Sequence, residues 1–297
     1  MSGSALLLVL TAALCHATWN IAAKRVRSDG TVFVWCYATG SALLWLPIGA
    51  LILARSSDPI SWSLLWAPVV SGLLHFAYCV TLQTGYDRAD LGVVYPVARG
   101  SGPLLTIIVA VVFLGQRPGW AGLIGGLIVV AGVAVVASVS SRPTEVDQMT
   151  GEAARGRRIA GLRWGALTGS AIAVYTLFDD HAVTALGFGA VYYFALSTSW
   201  QALAMSPIAW SRRDRISPVI RAYWREICVI AVLSPFAYIL VLQAMKTTSV
   251  ALVAPARESS IVVGSLLAWW LFKEPNPGRR LLGAAIVLAG IALIAAG

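Results

Sequence analysis

Arg99, Arg257 and Glu258 are charged side chains deep inside long apolar runs. A charge at the centre of a bilayer-spanning helix costs about 2.5–3.5 kcal/mol on insertion scales, so such a group faces a cavity or a partner. Arg99 lies eight residues beyond Leu91, about 12 Å into a helix that rises 1.5 Å per residue. Arg257 lies at a similar depth in a later run. Two guanidiniums ringing a central cleft can hold a carboxylate or a phosphonate through paired N–H donors. Glu258 beside them can hold an ammonium or carry a proton. The same three residues also suit an interhelical ion pair that only ties the bundle together. Neighbours on a helix point about 100° apart, so Glu258 is expected to meet Arg99 rather than Arg257. Pro96, Gly100, Gly102 and Pro103 surround Arg99, and Pro255 precedes Arg257. Proline removes a backbone donor and bends a helix, which makes these positions hinge candidates.

A second set of polar and aromatic residues lies away from the ends of the runs: Trp19, Asn20, Tyr78, Gln83, Tyr95, Tyr175, Trp200, Tyr238 and Gln243. Amphipathic rings lining a pocket suit a zwitterion with an apolar side chain. His16 and His75 also fall within runs, as weak candidates for a proton relay, because histidine changes charge near neutrality. The alternative for each is a hydrogen-bonded core histidine. Asp179-Asp180-His181 has a composition that metals favour, but three consecutive residues at a helix end point different ways. That tripeptide reads as a solvated helix end, and the sequence implies no metal and no cofactor.

The elements that must position these residues follow from composition. The chain has 297 residues, 58% of them hydrophobic and only 12% charged, with a mean hydropathy of +0.78. Soluble domains carry about 25% charged residues, so a soluble enzyme, a disordered chain and a disulfide scaffold are excluded. Ten segments meet the requirement of about 20 mainly apolar residues for a membrane span: 4–24, 31–54, 64–86, 91–113, 119–138, 161–180, 188–210, 225–246, 250–272 and 279–296. The runs are continuous rather than alternating, which favours helices over barrel strands. The fold class is therefore all-α and integral to the membrane. The N-terminus lacks a basic leader, so residues 5–23 read as a retained first span.

Of the twenty Lys and Arg outside the spans, seventeen follow odd-numbered spans, and only Arg55, Arg117 and Lys246 follow even-numbered ones. The positive-inside bias then puts odd-numbered loops in the cytoplasm and both termini outside. Trp62, Trp66, Trp120, Trp164, Trp210 and Trp224 mark span ends, as an aromatic belt requires. Cys15, Cys36, Cys79 and Cys228 form no C-x-x-C pair and read as small apolar packing residues. Gly161-x-x-x-Gly165-x-x-x-Gly169 and Gly122-x-x-x-Gly126 read as close-packing helix faces.

The chain also repeats itself. Phe76-Ala77-Tyr78-Cys79-Val80-Thr81-Leu82-Gln83 aligns with Phe236-Ala237-Tyr238-Ile239-Leu240-Val241-Leu242-Gln243, identical at five of eight positions. Ala98-Arg99-Gly100-Ser101 faces Ala256-Arg257-Glu258-Ser259, and 125–132 aligns with 283–290. Residues 1–138 form a first five-helix repeat, 139–160 a linker loop, and 161–297 a second repeat. Five is odd, so the second repeat starts on the opposite face and the topology is inverted, as in many secondary transporters.

Certain pieces resemble a known family. His16-Ala17-Thr18-Trp19-Asn20 followed by Lys24, Arg88-Ala89-Asp90-Leu91-Gly92-Val93-Val94-Tyr95-Pro96-Val97-Ala98-Arg99-Gly100, and Gly115-Gln116-Arg117 together resemble the EamA-type branch of the drug/metabolite transporter superfamily. The resemblance implies ten helices in two five-helix repeats and export of small metabolites, amino acids foremost, across a bacterial-type inner membrane by alternating access. The stretch from Tyr95 to Gly100 also resembles members associated with phosphonates, so an anionic solute is the alternative. A membrane-embedded enzyme is the other class, but the chain has no H-E-x-x-H, no G-x-S-x-G and no P-loop. The expected partners are a small zwitterionic or anionic solute and the lipid bilayer, with no nucleic acid. A monomer suffices, and a dimer is compatible.

Overall fold

A computed structural model describes residues 1–26, 29–89, 91–137, 152–264 and 277–296. Arg27, Asp90, linker residues 138–151, residues 265–272 of the ninth expected span and Lys273 lie outside the described residues. Every regular element among the described residues is a helix. In chain order these are α1 (Gly3–Lys24), α2 (Gly30–Arg55), α3 (Trp62–Arg88), α4 (Leu91–Val112), α5 (Gly119–Ala137), α6 (Glu152–Thr184), α7 (Ala190–Trp210), α8 (Arg213–Met245), α9 (Val250–Arg257) and α10 (Pro277–Ala296). Helices suit a lipid environment because each satisfies its own backbone groups. Six stretches, lying in α1 to α5 and α8, are long and apolar enough to cross a bilayer.

Side-chain caps set several helix starts. Ser2, Asp29, Ser61 and Ser249 each accept a backbone N–H from the first turn of α1, α2, α3 and α9, relieving donors that a helix start leaves open. Large apolar side chains such as Leu43, Phe113 and Trp120 point outward, whereas alanine, valine and buried polar groups fill the interior. That distribution fits lipid as the outer solvent. α6 starts nine residues before the expected span; α8 begins at Arg213, but its backbone is not helical at Tyr223 (φ −129°, ψ 24°), a kink two residues before the expected start at 225. Their arginine-rich first turns are helical but too polar to register as span.

Small residues let the helices meet at backbone distance. On α5 and α10, a Cβ at Gly125 would lie 2.7 Å from the Gly290 carbonyl, and one at Gly132 would lie 3.0 Å from the Gly283 carbonyl. The numbering rises on one helix as it falls on the other, so these two run antiparallel. Gly161, Gly165 and Gly169 of α6 rest on Val93, Val97 and Ser101 of α4, so those two run parallel.

The same helix pairings recur when the first five helices are exchanged for the last five. α1 packs on α8 as α6 packs on α3, α2 on α8 as α7 on α3, and α4 on α6 as α9 on α1; the α2–α7 and α5–α10 pairs map onto themselves.

The connections sort into two groups by their contacts. Asp29, between α1 and α2, pairs with Arg212 and Arg215 at the α7–α8 turn, at 2.9 and 3.0 Å. Arg88, ending α3, sits 5.6 Å over the Trp164 ring of α6. At the other end, Tyr192 OH donates to Asp58 Oδ2 at 2.8 Å, Ser249 Oγ donates to Gln116 Oε1, and the Met1 ammonium donates to the Ile294 carbonyl at 3.3 Å. Gly115 and Gly119 take positive φ, 63° and 74°, and bracket the turn between α4 and α5 where a side chain would be strained.

Candidate functional site

The central charges meet at a helix break. α9 ends at Arg257, Glu258 makes a turn, and helix resumes over 259–264. The Glu258 N–H turns back onto the Pro255 carbonyl at 3.0 Å, a tighter three-residue turn in place of the helical ladder. Glu258 is 1% exposed. Its Oε2 lies 3.4 Å from Arg99 Nη1 and its Oε1 3.5 Å from Arg257 Nη2. Arg99 was the expected partner; Arg257 was not. An unbroken helix would point the adjacent side chains apart, and the turn at Glu258 removes that constraint. Arg99 also reaches His16 Nε2 at 3.4 Å and lies 5.5 Å over the Tyr95 ring. One carboxylate is thus shared by two guanidiniums from different halves of the chain.

The aromatic candidates largely converge here. Tyr175 lies 5.5 Å from Tyr78 and 6.1 Å from Tyr238, ring centre to ring centre. Trp19 meets His16 edge-on at 4.7 Å, and its buried Nε1 has no hydrogen-bond partner. Asn20 is half-buried one helical turn beyond His16. Between Arg99 and the Arg88 end of α3 lies a cavity of about 20 Å³, lined in part by Tyr78, Tyr86, Tyr95 and Thr168, enough for one water. Sequence reasoning missed Tyr86 and Thr168. The Thr168 hydroxyl is buried without a partner, and its spacing from Tyr175, two helical turns, was the available signal. The hinge candidates Pro96, Gly100, Gly102 and Pro103 lie within α4, which stays helical through them, and Pro255 sits one turn before the break in α9.

Three candidates lie elsewhere. Trp200 is 41% exposed on the outer surface, because α7 turns its other faces to α2 and α3. Gln243 is exposed two residues before the end of α8. Gln83 lies against Gly30 at the start of α2, near the bundle's end rather than its centre.

The largest correction concerns Asp179-Asp180-His181. α6 continues to Thr184, so the tripeptide is not a solvated end: Asp179 is 0% exposed, Asp180 is buried, and only His181 is exposed. Asp179 Oδ1 accepts from Ser71 Oγ at 2.6 Å and from Tyr193 OH at 2.7 Å, and Oδ2 accepts from Tyr238 OH at 2.8 Å. His75 stands beside it, with Nε2 3.7 Å from Oδ2 and its ring 4.3 Å from that of Tyr175. Asp179 lies one turn beyond Tyr175, on the same face of α6.

An apolar exterior, a helical interior and a buried charged centre define a multi-pass membrane protein. The EamA-like transporter family profile matches residues 3–138 and again 159–296, and the chain belongs to that family. One solved crystal structure shares the fold, with a TM-score of 0.72 at 19% identity, covering 99% of this chain and 96% of its own. No curated protein matches the chain.

Proposed function

We propose that this chain is a secondary transporter that moves a small amino-acid-like solute outward across an inner membrane by alternating access. The observation that carries the reading is the single buried carboxylate, Glu258, held between Arg99 and Arg257 at a helix break. The substrate carboxylate takes the arginines and its ammonium takes Glu258, while Tyr78, Tyr95, Tyr175, Tyr238, Trp19 and Asn20 wall the side chain. His16 completes the shell around Arg99.

The architecture we infer is ten spans in two inverted five-helix repeats, 1–138 and 161–297, joined by the linker 139–160. The exchange-symmetric pairings and the antiparallel α5–α10 contact support it, since equivalent helices that run oppositely are the mark of inversion. The two groups of loops, each contacting its own members, support two opposite faces, and the excess of Lys and Arg on the odd-numbered loops is what assigns those to the cytoplasm and both termini to the outside. One chain encloses the pathway. A second reading, an anionic solute such as an organophosphonate, is favoured by the excess of two guanidiniums over one carboxylate.

Flux into proteoliposomes tests both readings, with labelled amino acids in one arm and a labelled phosphonate in the other. Wild-type flux of an amino acid that Arg99→Ala and Glu258→Gln abolish supports the first reading. Flux of the phosphonate alone replaces it with the second, and flux of neither refutes the assignment.

A further inference from the structure

α8 is longer than a span needs. Its 33 residues measure about 50 Å as helix, against a hydrocarbon core of about 30 Å. The surplus lies before the kink at Tyr223, and contacts with α2 show how the two parts run. Phe33 meets Tyr223 at 6.3 Å between ring centres, and Ser41 Oγ donates to the Ala231 carbonyl at 3.2 Å. Between those contacts both helices advance eight residues, so beyond the kink they run side by side. Before the kink, Asp29 pairs with Arg215, so eight residues of α8 accompany only four of α2. The segment 213–222 therefore crosses the start of α2 obliquely instead of continuing the span. Arg212 and Arg215 tether it to Asp29, and Ile216, Val219 and Tyr223 join Val32 and Phe33 of α2 in one apolar cluster.

Its outer side is amphipathic. Ile220 and Trp224 are 44% and 55% exposed, and Trp210, just before the segment, is 67% exposed. Arg213 lies 6.0 Å over the Trp210 ring, and Arg225 lies 5.3 Å over the Trp224 ring. Arg213, Arg221 and Arg225 are all exposed. Among the described residues none of the three pairs with a carboxylate, although Asp214 and Glu226 adjoin Arg213 and Arg225 in the chain. Indole rings favour headgroup depth, and arginines beside them reach toward phosphate oxygens.

We propose that residues 210–225 form an interfacial helix and a binding surface for anionic phospholipid, with Ile220 and Trp224 entering the acyl boundary and Arg213, Arg221 and Arg225 taking the phosphate oxygens. Charge complementarity selects the occupant. A zwitterionic headgroup brings its own ammonium to each phosphate, whereas an anionic one leaves the guanidiniums to supply the counter-charge, through a planar fork of donors that matches phosphate. Each arginine near an anionic surface is worth about 1 kcal/mol, a factor of about five in local lipid concentration. Orientation of the chain needs arginines only on the correct side; the ring contacts and the oblique helix hold these three at headgroup depth. The surface belongs to one face. The repeat that aligns Phe76 with Phe236 sets 213–222 against 53–62, the end of α2 and the connection after it, where Arg55 is the single Lys or Arg. Ile60 in that stretch corresponds to Ile220. Lipid binding here requires a membrane-spanning chain but no transport.

Fluorescence quenching in nanodiscs tests this. A nitrobenzoxadiazole label is placed at Ile220→Cys, or at Ile60→Cys as the matched position, with the four native cysteines replaced by alanine. The discs hold equal fractions of phosphatidylcholine and phosphatidylglycerol, and a nitroxide-bearing acyl chain is carried by one lipid or the other. At Ile220 the label is expected to be quenched severalfold more by the phosphatidylglycerol nitroxide, and at Ile60 equally by both. Arg213→Gln, Arg221→Gln and Arg225→Gln together should bring the Ile220 label to equality. Equal quenching at Ile220 with all arginines present refutes the lipid preference, as does the same preference at Ile60, and quenching by neither lipid refutes the interfacial placement. A preference that survives the triple substitution refutes the role of these arginines. A preference abolished by millimolar inorganic phosphate at constant ionic strength makes this a site for soluble anions and overturns the proposal. The comparison with all arginines present decides even where the triple variant fails to fold.

Discussion

Glu258→Gln is the most informative single substitution, because one carboxylate serves two buried cations. At an effective dielectric of 20, each contact near 3.5 Å is worth about 4–5 kcal/mol of Coulomb attraction, most of it offset by the desolvation of three ions. Removing the carboxylate leaves two guanidiniums facing one another without compensation. Breaking a buried pair in this way costs about 3–5 kcal/mol. Arg99→Gln leaves Glu258 paired with Arg257, so its cost is closer to that of one lost charged hydrogen bond, about 1.5–3 kcal/mol. In a domain this large about 2–3 °C of melting temperature accompanies each kcal/mol. Glu258→Gln is therefore expected to melt about 6–15 °C below wild type and Arg99→Gln about 3–9 °C below. The double variant should lie above Glu258→Gln, because one of the two stranded charges has gone; this is a coupling that a double-mutant cycle isolates. Melting of purified protein in detergent, followed by tryptophan fluorescence, gives all three values. Equal shifts for the two single variants, or a double variant at the sum of both, would refute the shared-carboxylate argument.

Other consequences are simpler to check. Burial opposes the charge of Asp29, but the Val32 N–H and the guanidiniums of Arg212 and Arg215 outweigh it and hold its carboxyl below the usual value near 3.8. Its stabilisation is then present above that value and lost as pH falls through the lower folded one. A melting-temperature profile from neutral pH down to pH 3 should lose that increment, at most about 1 kcal/mol for pairs so exposed, and Asp29→Asn should remove it. Gly290→Ala sets a Cβ 2.7 Å from the Gly125 carbonyl oxygen and should cost about 1–3 kcal/mol by overpacking, whereas Gly156→Ala, with nothing within 4 Å, should be neutral or slightly stabilising. An impermeant thiol reagent applied to intact cells should label Arg117→Cys but reach Arg213→Cys only after permeabilisation; the reverse pattern would invert the proposed orientation.

The first five helices were legible because their apolar runs end where the helices end: 4–24 against Gly3–Lys24, and 119–138 against Gly119–Ala137. The start of α6 was not, because hydropathy records lipid contact and its first turns carry charge, whereas the expected start of the eighth span at 225 falls two residues after the kink at Tyr223 in α8. The Arg99–Glu258 pairing was readable because adjacent residues on a helix point about 100° apart, whereas the Arg257–Glu258 contact was not, because it depends on the turn that breaks the helix at Glu258. Asp179 was hidden because its environment comes from Ser71, Tyr193 and Tyr238 on three other helices, and no local pattern distinguishes a helix-end carboxylate in water from one receiving three hydroxyls. Trp200 and Gln243 failed for a related reason: distance from a span's end says nothing about which face of the helix a residue occupies.

The repeat supplies a near-symmetric scaffold, but its chemistry is one-sided, and that difference can be tested by restoring symmetry. The residue matching Glu258 in the first half is Gly100, which follows Arg99 as Glu258 follows Arg257. A Cβ at Gly100 meets nothing within 4 Å, so a longer side chain has room to start. Replacing a helical glycine also gains up to about 1 kcal/mol of helix propensity. Gly100→Glu would supply a second carboxylate to the two arginines and convert a cluster with one guanidinium in excess into a balanced one. If that excess is what draws a solute carboxylate into the site, the variant should melt at or above the wild-type temperature while its apparent affinity for an anionic or zwitterionic solute falls at least tenfold. A Gly100→Glu protein that transports with unchanged affinity would show that the excess charge does not recruit the solute, and Arg99, Glu258 and Arg257 would then be a fastening between the two halves.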